Sequence, residues 1–187
     1  NAGIKSGMVS RSIIPIFAAS ALNNIGTGEL LDAITTIFPS PDEVESPSVP
    51  EGAQANLIFK TSADPFVGKL SYFRVYGATL DSNAQLWNAN RGENERVGQV
   101  YSAAGKETSG VDAVIRGDIG VISRLNHTKT FDTLCDKANE LKLGGVDLPS
   151  PVFALAVSPR GQSDLDKMAD SLSRIIEEDP TLELERN

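Results

Sequence analysis

The chain of 187 residues has few of the side chains that metal binding and nucleophilic catalysis require, with one cysteine and one histidine. A lone cysteine, Cys135, cannot form a disulfide within the chain, which fits a reducing compartment. We expect its thiol to be buried as a small apolar group. His127, between Asn126 and Thr128, is expected in a surface turn. The sequence therefore predicts no metal site and no catalytic residue.

Long apolar runs and an excess of positive charge are also missing. No run approaches the roughly 20 residues needed to cross a bilayer, and no signal peptide is present. We therefore expect a cytoplasmic chain with no membrane contact. The formal net charge is −8, which excludes nucleic-acid binding through bulk electrostatics and allows only a local basic patch. The composition, 40% hydrophobic and 22% charged, is ordinary for a globular chain of one or two domains.

Residues 3–41 show the pattern of a strand followed by a helix. The apolar run 13–19 predicts a buried strand, and residues 27–38 predict a helix with Thr27 as its N-cap. A buried strand of this kind needs neighbouring strands, which this stretch does not supply. We expect these residues to be the end of a larger α/β domain.

A proline-rich, acidic stretch at residues 42–54 predicts a linker. Beyond it, residues 55–148 contain short strand-like runs between turn signals, which predict a closed β-barrel. Asn83 is expected to adopt a positive φ, and hairpin turns are expected at 90–92 and 116–118. The predicted strands span residues 57–61, 67–76, 85–88, 95–100, 111–115 and 119–125.

Residues 149–187 show a β-α-β pattern. The predicted elements are a strand at 152–157, a helix at 163–178 and a second strand at 181–185. Ser163 and Asp166 have the spacing of a capping box at the start of the helix. Apolar residues recur on one helix face, at Leu165, Met168, Ala169, Leu172, Ile175 and Ile176. The bare sheet edges indicate part of a larger domain.

With these segments placed, the chain resembles elongation factor G over nearly its whole length. The run IIPIFAASALNNIGTGELLDAITTIFPSP resembles the end of that family's GTP-binding domain. FKTSADPFVGKLSYFRVYGATL, GENERVGQV, RGDIGVI and DTLCD resemble its second domain, and DKMADSLSRIIEEDPTLEL resembles the start of domain III. The resemblance implies a mainly β chain: a translation-factor β-barrel flanked by a C-terminal piece of an α/β G domain and a partial ferredoxin-like α+β domain.

The resemblance implies a parent protein that is a translational GTPase, with GTP and Mg²⁺ as its cofactors and ribosomal translocation as its task. Ser20, Ala21 and Leu22 fall on the family's guanine-recognition loop. The chain has no GxxxxGK[ST] sequence and no aspartate motif for magnesium. We therefore expect neither GTP hydrolysis nor nucleotide affinity from this chain alone.

The same resemblance implies that the barrel faces small-subunit ribosomal RNA. Arg91, Arg96 and Lys106 are basic residues that we expect to be exposed, and they are the candidate RNA contacts. Trp87 and Tyr76 lie on predicted strands, where core packing is favoured over base stacking. We expect a monomer whose other partners are the missing G-domain and C-terminal domains.

One loop departs from the family pattern and keeps other functions open. Residues 101–110, YSAAGKETSG, lack the histidine and the basic residues usual in the family, which favours a divergent paralogue that does not translocate. A ribosome-protection or release-type relative is a second alternative. A free-standing β-barrel binding module is a third, and the half-finished sheets of the flanking segments disfavour it.

Overall fold

The computed structural model describes residues 2–64, 67–105 and 107–185. The chain divides into two compact units, Asn1–Ser46 and Pro47–Asn187. The finer division into segments 3–41, 42–54, 55–148 and 149–187 stays a prediction.

The first unit contains two helices, α1 (Ala2–Val9) and α2 (Thr27–Ile37), and a 3-10 turn at Pro41–Glu43. The predicted helix is confirmed, but Thr27 as its N-cap is wrong. The N-cap is Gly26, whose φ of 76° places it in the left-handed region, and no side chain caps the helix. Glycine reaches this conformation without steric cost, so the backbone turns sharply into α2.

An ion pair joins α1 to the 3-10 turn. The Nζ of Lys5 lies 2.7 Å from Oε2 of Glu43, which also accepts the N–H of Ser40 at 2.7 Å. The hydrogen bond from Lys5 and the one from Ser40 lower the pKa of Glu43 to about 2. Glu43 therefore remains ionised across the physiological pH range.

The predicted strand at 13–19 is wrong. These residues form no strand, and Ile14 and Ile16 are 83% and 93% exposed. A buried strand must pair its N–H and C=O groups with neighbours, and no strand of the described part of this unit pairs with it. The apolar pattern is present, but its packing partners are not.

The described part of the second unit contains ten strands. They are β1 (Ala55–Asp64), β2 (Gly68–Val75), β3 (Leu80–Asp81), β4 (Gln85–Asn88), β5 (Glu93–Arg96), β6 (Val100–Ala104), β7 (Glu107–Val111), β8 (Ala113–Val114), β9 (Ile119–Ser123) and β10 (Thr133–Cys135). Eight of them form one antiparallel sheet in the order β5-β4-β10-β1-β2-β9-β6-β7, and β3 pairs with β8.

The sheet curls around one interior. In β2, Ser71, Phe73 and Val75 are buried and alternate with half-buried residues, as the two-residue period of a strand requires. The N–H of Val97 donates to the carbonyl of Ala84 at 2.9 Å, which draws the end of β5 toward the start of β4. Most of the larger buried apolar side chains belong to one cluster: Ile58, Phe73, Val75, Leu80, Leu86, Val97, Val100, Val114, Ile122, Leu125 and Leu134. The mainly β, barrel-like fold is therefore confirmed.

Several strand bounds differ from the prediction. The strand at 85–88 has the predicted limits, but the one at 95–100 is two strands, β5 and β6. The chain changes partners there, because β5 pairs with β4 and β6 pairs with β9 and β7. The strand at 111–115 likewise divides between β7 and β8. Strands β3 and β10, of two and three residues, are too short to leave a periodic pattern.

Two of the three turn predictions are confirmed. Gly92, with φ 71°, closes the hairpin between β4 and β5, and Asn83 has φ 64°. Residues 116–118 do turn, since the N–H of Asp118 donates to the carbonyl of Ile115 at 3.1 Å. This turn is not a hairpin, because it joins β8 to β9, which belong to different sheets.

Downstream of the barrel, helix α3 (Leu165–Glu178) follows a 3-10 turn at Gln162–Asp164. The Ser163–Asp166 capping box is wrong: Asp164 is the N-cap, and no side chain caps the helix. The strands at 152–157 and 181–185 are also wrong. Val152 is 99% exposed, and no described strand pairs with either segment.

Cys135 and His127 have the environments that the sequence predicted. Cys135 is fully buried in β10, and burial raises the pKa of its thiol. His127 is exposed in a bend between β9 and β10.

Gly77 permits a close backbone approach that fixes the start of β1. The N–H groups of Tyr76 and Gly77 both donate to the carbonyl of Ala55. A Cβ at position 77 would clash with the carbonyl oxygen of Ala53 and lie 2.6 Å from the nitrogen of Ala55.

We predict that Gly77→Ala lowers the free energy of unfolding by at least about 2 kcal/mol, because the clashing atoms are backbone and cannot move aside. Gly98→Ala is the control, since its Cβ would meet nothing within 4 Å, and it should change stability by less than about 0.5 kcal/mol. Urea unfolding measures both variants. Equal stability of the two would contradict this packing.

Candidate functional site

The predicted guanine loop is a tight turn immediately before α2. Ser20 and Ile25 exchange two backbone hydrogen bonds, of 2.9 and 3.1 Å, which close the loop at its base. Inside it, the N–H of Asn24 donates to the carbonyl of Ala21 at 3.3 Å. Asn24 has φ 51°, a left-handed conformation that asparagine tolerates better than most residues. The loop shape is thus fixed by the backbone.

The tip of this loop presents unused donors. Leu22 is 95% exposed, and the N–H groups of Ala21 and Leu22 donate to no other described residue. Backbone N–H groups without a partner can donate to an acceptor oxygen of a ligand. The chain has no phosphate-cradling sequence.

The two candidate RNA contacts that the structure describes, Arg91 and Arg96, lie at opposite ends of one hairpin. Arg91 lies in the turn of the β4–β5 hairpin, and its Nε donates to Oδ2 of Asp132 at 2.9 Å. Arg96 pairs with Gln85 at the opposite, open end of the same hairpin. It is exposed and has no carboxylate within 4 Å in the described part of the chain. Lys106 lies outside the described residues.

The β6–β7 hairpin carries the loop that departs from the family pattern. Strand β7 is the outer strand of the sheet, and its first four residues are exposed. Among residues 101–110, Lys106 is the one basic residue in the sequence, and Glu107 follows it. The hairpin therefore presents little positive charge to a polyanion.

Sequence reasoning missed a buried carboxylate. Glu95, in the middle of the GENERVGQV motif, is 1% exposed. Its Oε1 accepts the N–H of His127 at 2.5 Å and of Thr128 at 2.9 Å, and also the Thr128 hydroxyl at 2.8 Å. Its Oε2 accepts the N–H of Asn126 at 3.2 Å. Three consecutive backbone donors thus enclose one carboxylate.

These contacts continue to a second buried carboxylate. Nδ2 of Asn88 donates to Oγ1 of Thr128 and to Oδ2 of Asp132, both at 3.1 Å. Asp132 also accepts Nε of Arg91 and the N–H of Lys129, both at 2.9 Å. We call Glu95, Thr128, Asn88, Asp132 and Arg91 the polar network. It joins the β4–β5 hairpin to the segment between β9 and β10.

The inward position of Glu95 is visible only in the fold. Glu95 pairs across the sheet with Leu86, a core residue, so it occupies an inward-facing position. A charged residue at such a position must be hydrogen-bonded or paired.

The expected core placement of Trp87 and Tyr76 is wrong. Both are only half-buried and belong to no core cluster. Nζ of Lys137 lies 4.2 Å from the centre of the Trp87 ring, whose Nε1 donates to Glu140 at 3.1 Å. Tyr76 lies beneath Arg74 at 5.3 Å. Both rings therefore pack against cations outside the core.

The end of α3 contacts the β1–β2 hairpin through two adjacent carboxylates. Oε1 of Glu178 accepts the N–H of Ala63 at 2.5 Å. Oε1 of Glu177 lies 3.7 Å from Nζ of Lys69, which also donates to the carbonyl of Thr128 at 2.7 Å. Lys69 thus connects α3 to the segment held by the polar network.

Within residues 2–64, 67–105 and 107–185, no group of three histidine, cysteine or acidic side chains is placed to hold a metal ion. No helix in these residues is both long enough and apolar enough to span a bilayer.

We predict that Glu95→Gln lowers the free energy of unfolding by about 2–3 kcal/mol. The amide loses the charge that strengthens four hydrogen bonds and turns a donor toward backbone N–H groups. Glu93→Gln, an exposed position on the same strand, is the matched control and should stay within about 0.5 kcal/mol. If chemical denaturation gave the two variants the same midpoint, the carboxylate would not have the role described here.

Comparisons with known proteins agree with this architecture. The model described as Elongation factor G domain 2 matches residues 54–137, and the model described as Elongation Factor G, domain III matches residues 148–187. Together they cover about two thirds of the chain. The crystal structure of ttk003000868 from Thermus thermophilus is similar, with a TM-score of 0.71 and 28% sequence identity. That match covers 90% of this chain and 25% of the other, so this chain spans a quarter of that protein's length. The barrel lies in the first matched region and α3 in the second, and the chain belongs to the elongation factor G family.

Proposed function

We propose that the chain is the ribosome-facing barrel and interdomain relay of an elongation factor G-like GTPase that promotes translocation in the cytoplasm. The observation that carries this proposal is the order of the two matched domains, joined in the structure by the contacts between α3 and the β1–β2 hairpin. A monomeric parent protein would supply the remaining domains, and the ribosome would be its partner.

The relay role rests on the weakness of the contacts between α3 and the β1–β2 hairpin. The Lys69–Glu177 pair is separated by 3.7 Å, and the two side chains are 16% and 43% exposed, so the Glu177 end is open to solvent. A pair this long, with one partner in solvent, contributes on the order of 1 kcal/mol. The barrel has a continuous core, so it moves as a body, whereas α3 can shift against it at small cost. A hinge between nucleotide-dependent states needs that combination.

Arg96 and Lys106 are the residues that we propose for contact with small-subunit ribosomal RNA. Arg96 is exposed and unpaired within the described residues, so its guanidinium is available to a phosphate. Arg91 is the third candidate, but Asp132 already accepts its Nε. We expect its loss to disturb the barrel as well as any RNA contact.

For the nucleotide, we propose that Ser20, Ala21 and Leu22 hold the guanine base in the complete protein. GTP would supply the phosphoryl group whose hydrolysis drives the cycle. The contribution of this chain is the backbone donors at the tip of the loop, which recognise the base and leave the phosphates to other parts of the protein.

We predict that the isolated chain gives no calorimetric signal with GTP or GDP at micromolar concentration. Most of the binding free energy of a nucleotide comes from its phosphates and magnesium, and a base loop alone supplies a few hydrogen bonds. A clear saturable heat of binding would show that the chain holds more of the nucleotide site than we propose.

We predict that ribosomes strongly stimulate GTP hydrolysis by the product of the complete reading frame. Arg96→Ala should reduce this stimulation severalfold, because one lost phosphate contact weakens ribosome binding. Arg160→Ala, which removes an exposed arginine outside the barrel, should leave it unchanged. Hydrolysis rates with and without ribosomes, at one fixed salt concentration, measure both effects.

A divergent paralogue without translocation activity is the second candidate, and the weakly basic β6–β7 hairpin favours it. In that case hydrolysis would proceed without ribosomal stimulation. Stimulated hydrolysis with no movement of tRNA would instead indicate a ribosome-protection or release-type relative.

A further inference from the structure

A cleft of about 230 Å³ lies between the barrel and the C-terminal end of α3. The barrel lines it with Thr61, Lys69, Arg91, Lys129 and Thr130. The last turn of α3 and the segment after it close the opposite side. Three of the five barrel residues are cations, in a chain whose net charge is −8.

These cations are incompletely neutralised. Lys69 has the carbonyl of Thr128 at 2.7 Å and Glu177 at 3.7 Å. Lys129 is exposed, and no described carboxylate lies within 4 Å of its ammonium group. Arg91 gives only its Nε to Asp132. The three cations are paired with only two carboxylates, those of Glu177 and Asp132. One positive charge in the cleft is therefore left without a carboxylate partner.

The cleft also contains a buried hydroxyl with a free proton. Thr61 is 3% exposed, and its Oγ1 accepts the hydroxyl of Thr130 at 2.9 Å. No described residue accepts the proton of Thr61. Together with Lys129 and the terminal nitrogens of Arg91, the cleft offers donors to a ligand that has several acceptor oxygens.

We propose that this cleft binds the phosphate group of a small phosphorylated molecule. A phosphate has the acceptor oxygens and the charge that match an arginine fork, an ammonium group and a hydroxyl. The small volume admits one or two phosphate groups. The one surplus charge and the small volume favour a compact anion over a strand of RNA, whose binding draws on many phosphate contacts. This proposal is independent of the ribosomal role.

Glu177 would compete with an entering phosphate for Lys69. Its carboxylate lies near Lys69 at 3.7 Å, a separation at which the pair is weak and exchangeable. An entering phosphate would replace Glu177 as the partner of Lys69. Occupancy would thus remove one of the two carboxylate contacts that hold α3.

The test is a titration of the 187-residue chain with inorganic pyrophosphate, without divalent cations and at constant ionic strength, followed by amide NMR. We expect saturable shifts at Lys129 and Thr130. Lys129→Ala should weaken binding about tenfold, whereas Lys142→Ala, an exposed lysine outside the cleft, should not.

Glu177→Gln should strengthen binding several-fold. Asp170→Asn, which changes the net charge equally at an exposed position of α3 outside the cleft, should not.

Three results would overturn the proposal. The first is the absence of saturable shifts at the cleft. The second is an equal effect of Lys129→Ala and Lys142→Ala, or of Glu177→Gln and Asp170→Asn, since either would indicate general electrostatics. The third is tighter binding of a short RNA through the same amides, which would assign the cleft to nucleic acid.

Discussion

The buried carboxylate of Glu95 is the constraint on which the arrangement of the β4–β5 hairpin and residues 126–132 depends. It holds the three consecutive N–H groups of residues 126–128, and the Thr128 hydroxyl then connects it to Asn88. Asn88 leads to Asp132, and Asp132 to Arg91. The carbonyl of Thr128 positions Lys69, the residue that faces α3. One ionised group therefore organises a hairpin, a loop and an interdomain contact.

The hydrogen bonds of the buried Glu95 and the contacts of α3 with the barrel differ in how much free energy it costs to break them. This difference is what the proposed relay role requires. Burial of an unpaired carboxylate would cost several kcal/mol, so Glu95 is tolerated only because four donors surround it. Disturbing that arrangement is expensive, which keeps the barrel rigid. The contacts of Glu177 and Glu178 with the β1–β2 hairpin lie at the surface and are individually weak. The barrel is thus held firmly by buried hydrogen bonds, whereas α3 is attached to it by weak surface contacts.

The limits of sequence-based prediction have physical causes here. Strand β4, the turn at Gly92, the positive φ of Asn83 and the cores of both predicted helices follow from local pattern and turn chemistry, and all are present. The strands at 13–19 and 152–157 fail because an apolar run forms a strand only when another strand accepts its hydrogen bonds. The family resemblance identified the fold because it depends on long sequence motifs, whereas the failed strand predictions depended only on the pattern of apolar residues.

The polar network was beyond prediction for a different reason. Its members lie in two separate stretches of sequence, residues 88–95 and 128–132, and only the fold shows that Glu95 faces inward opposite the loop at 126–128. Arg91 was predicted as an RNA contact because a basic residue in a turn is usually exposed. Its ion pair with Asp132, 41 residues away in sequence, has no local signature.

The most direct test of this account is hydrogen exchange at the amides of Asn126, His127 and Thr128. They lie in an irregular segment, where amides ordinarily exchange quickly. If the Glu95 carboxylate organises this end of the barrel, they will exchange as slowly as the central amides of β1 and far more slowly than those of residues 144–148. Exchange at the fast rate of residues 144–148 would show that the carboxylate does not hold the loop, and would contradict the account.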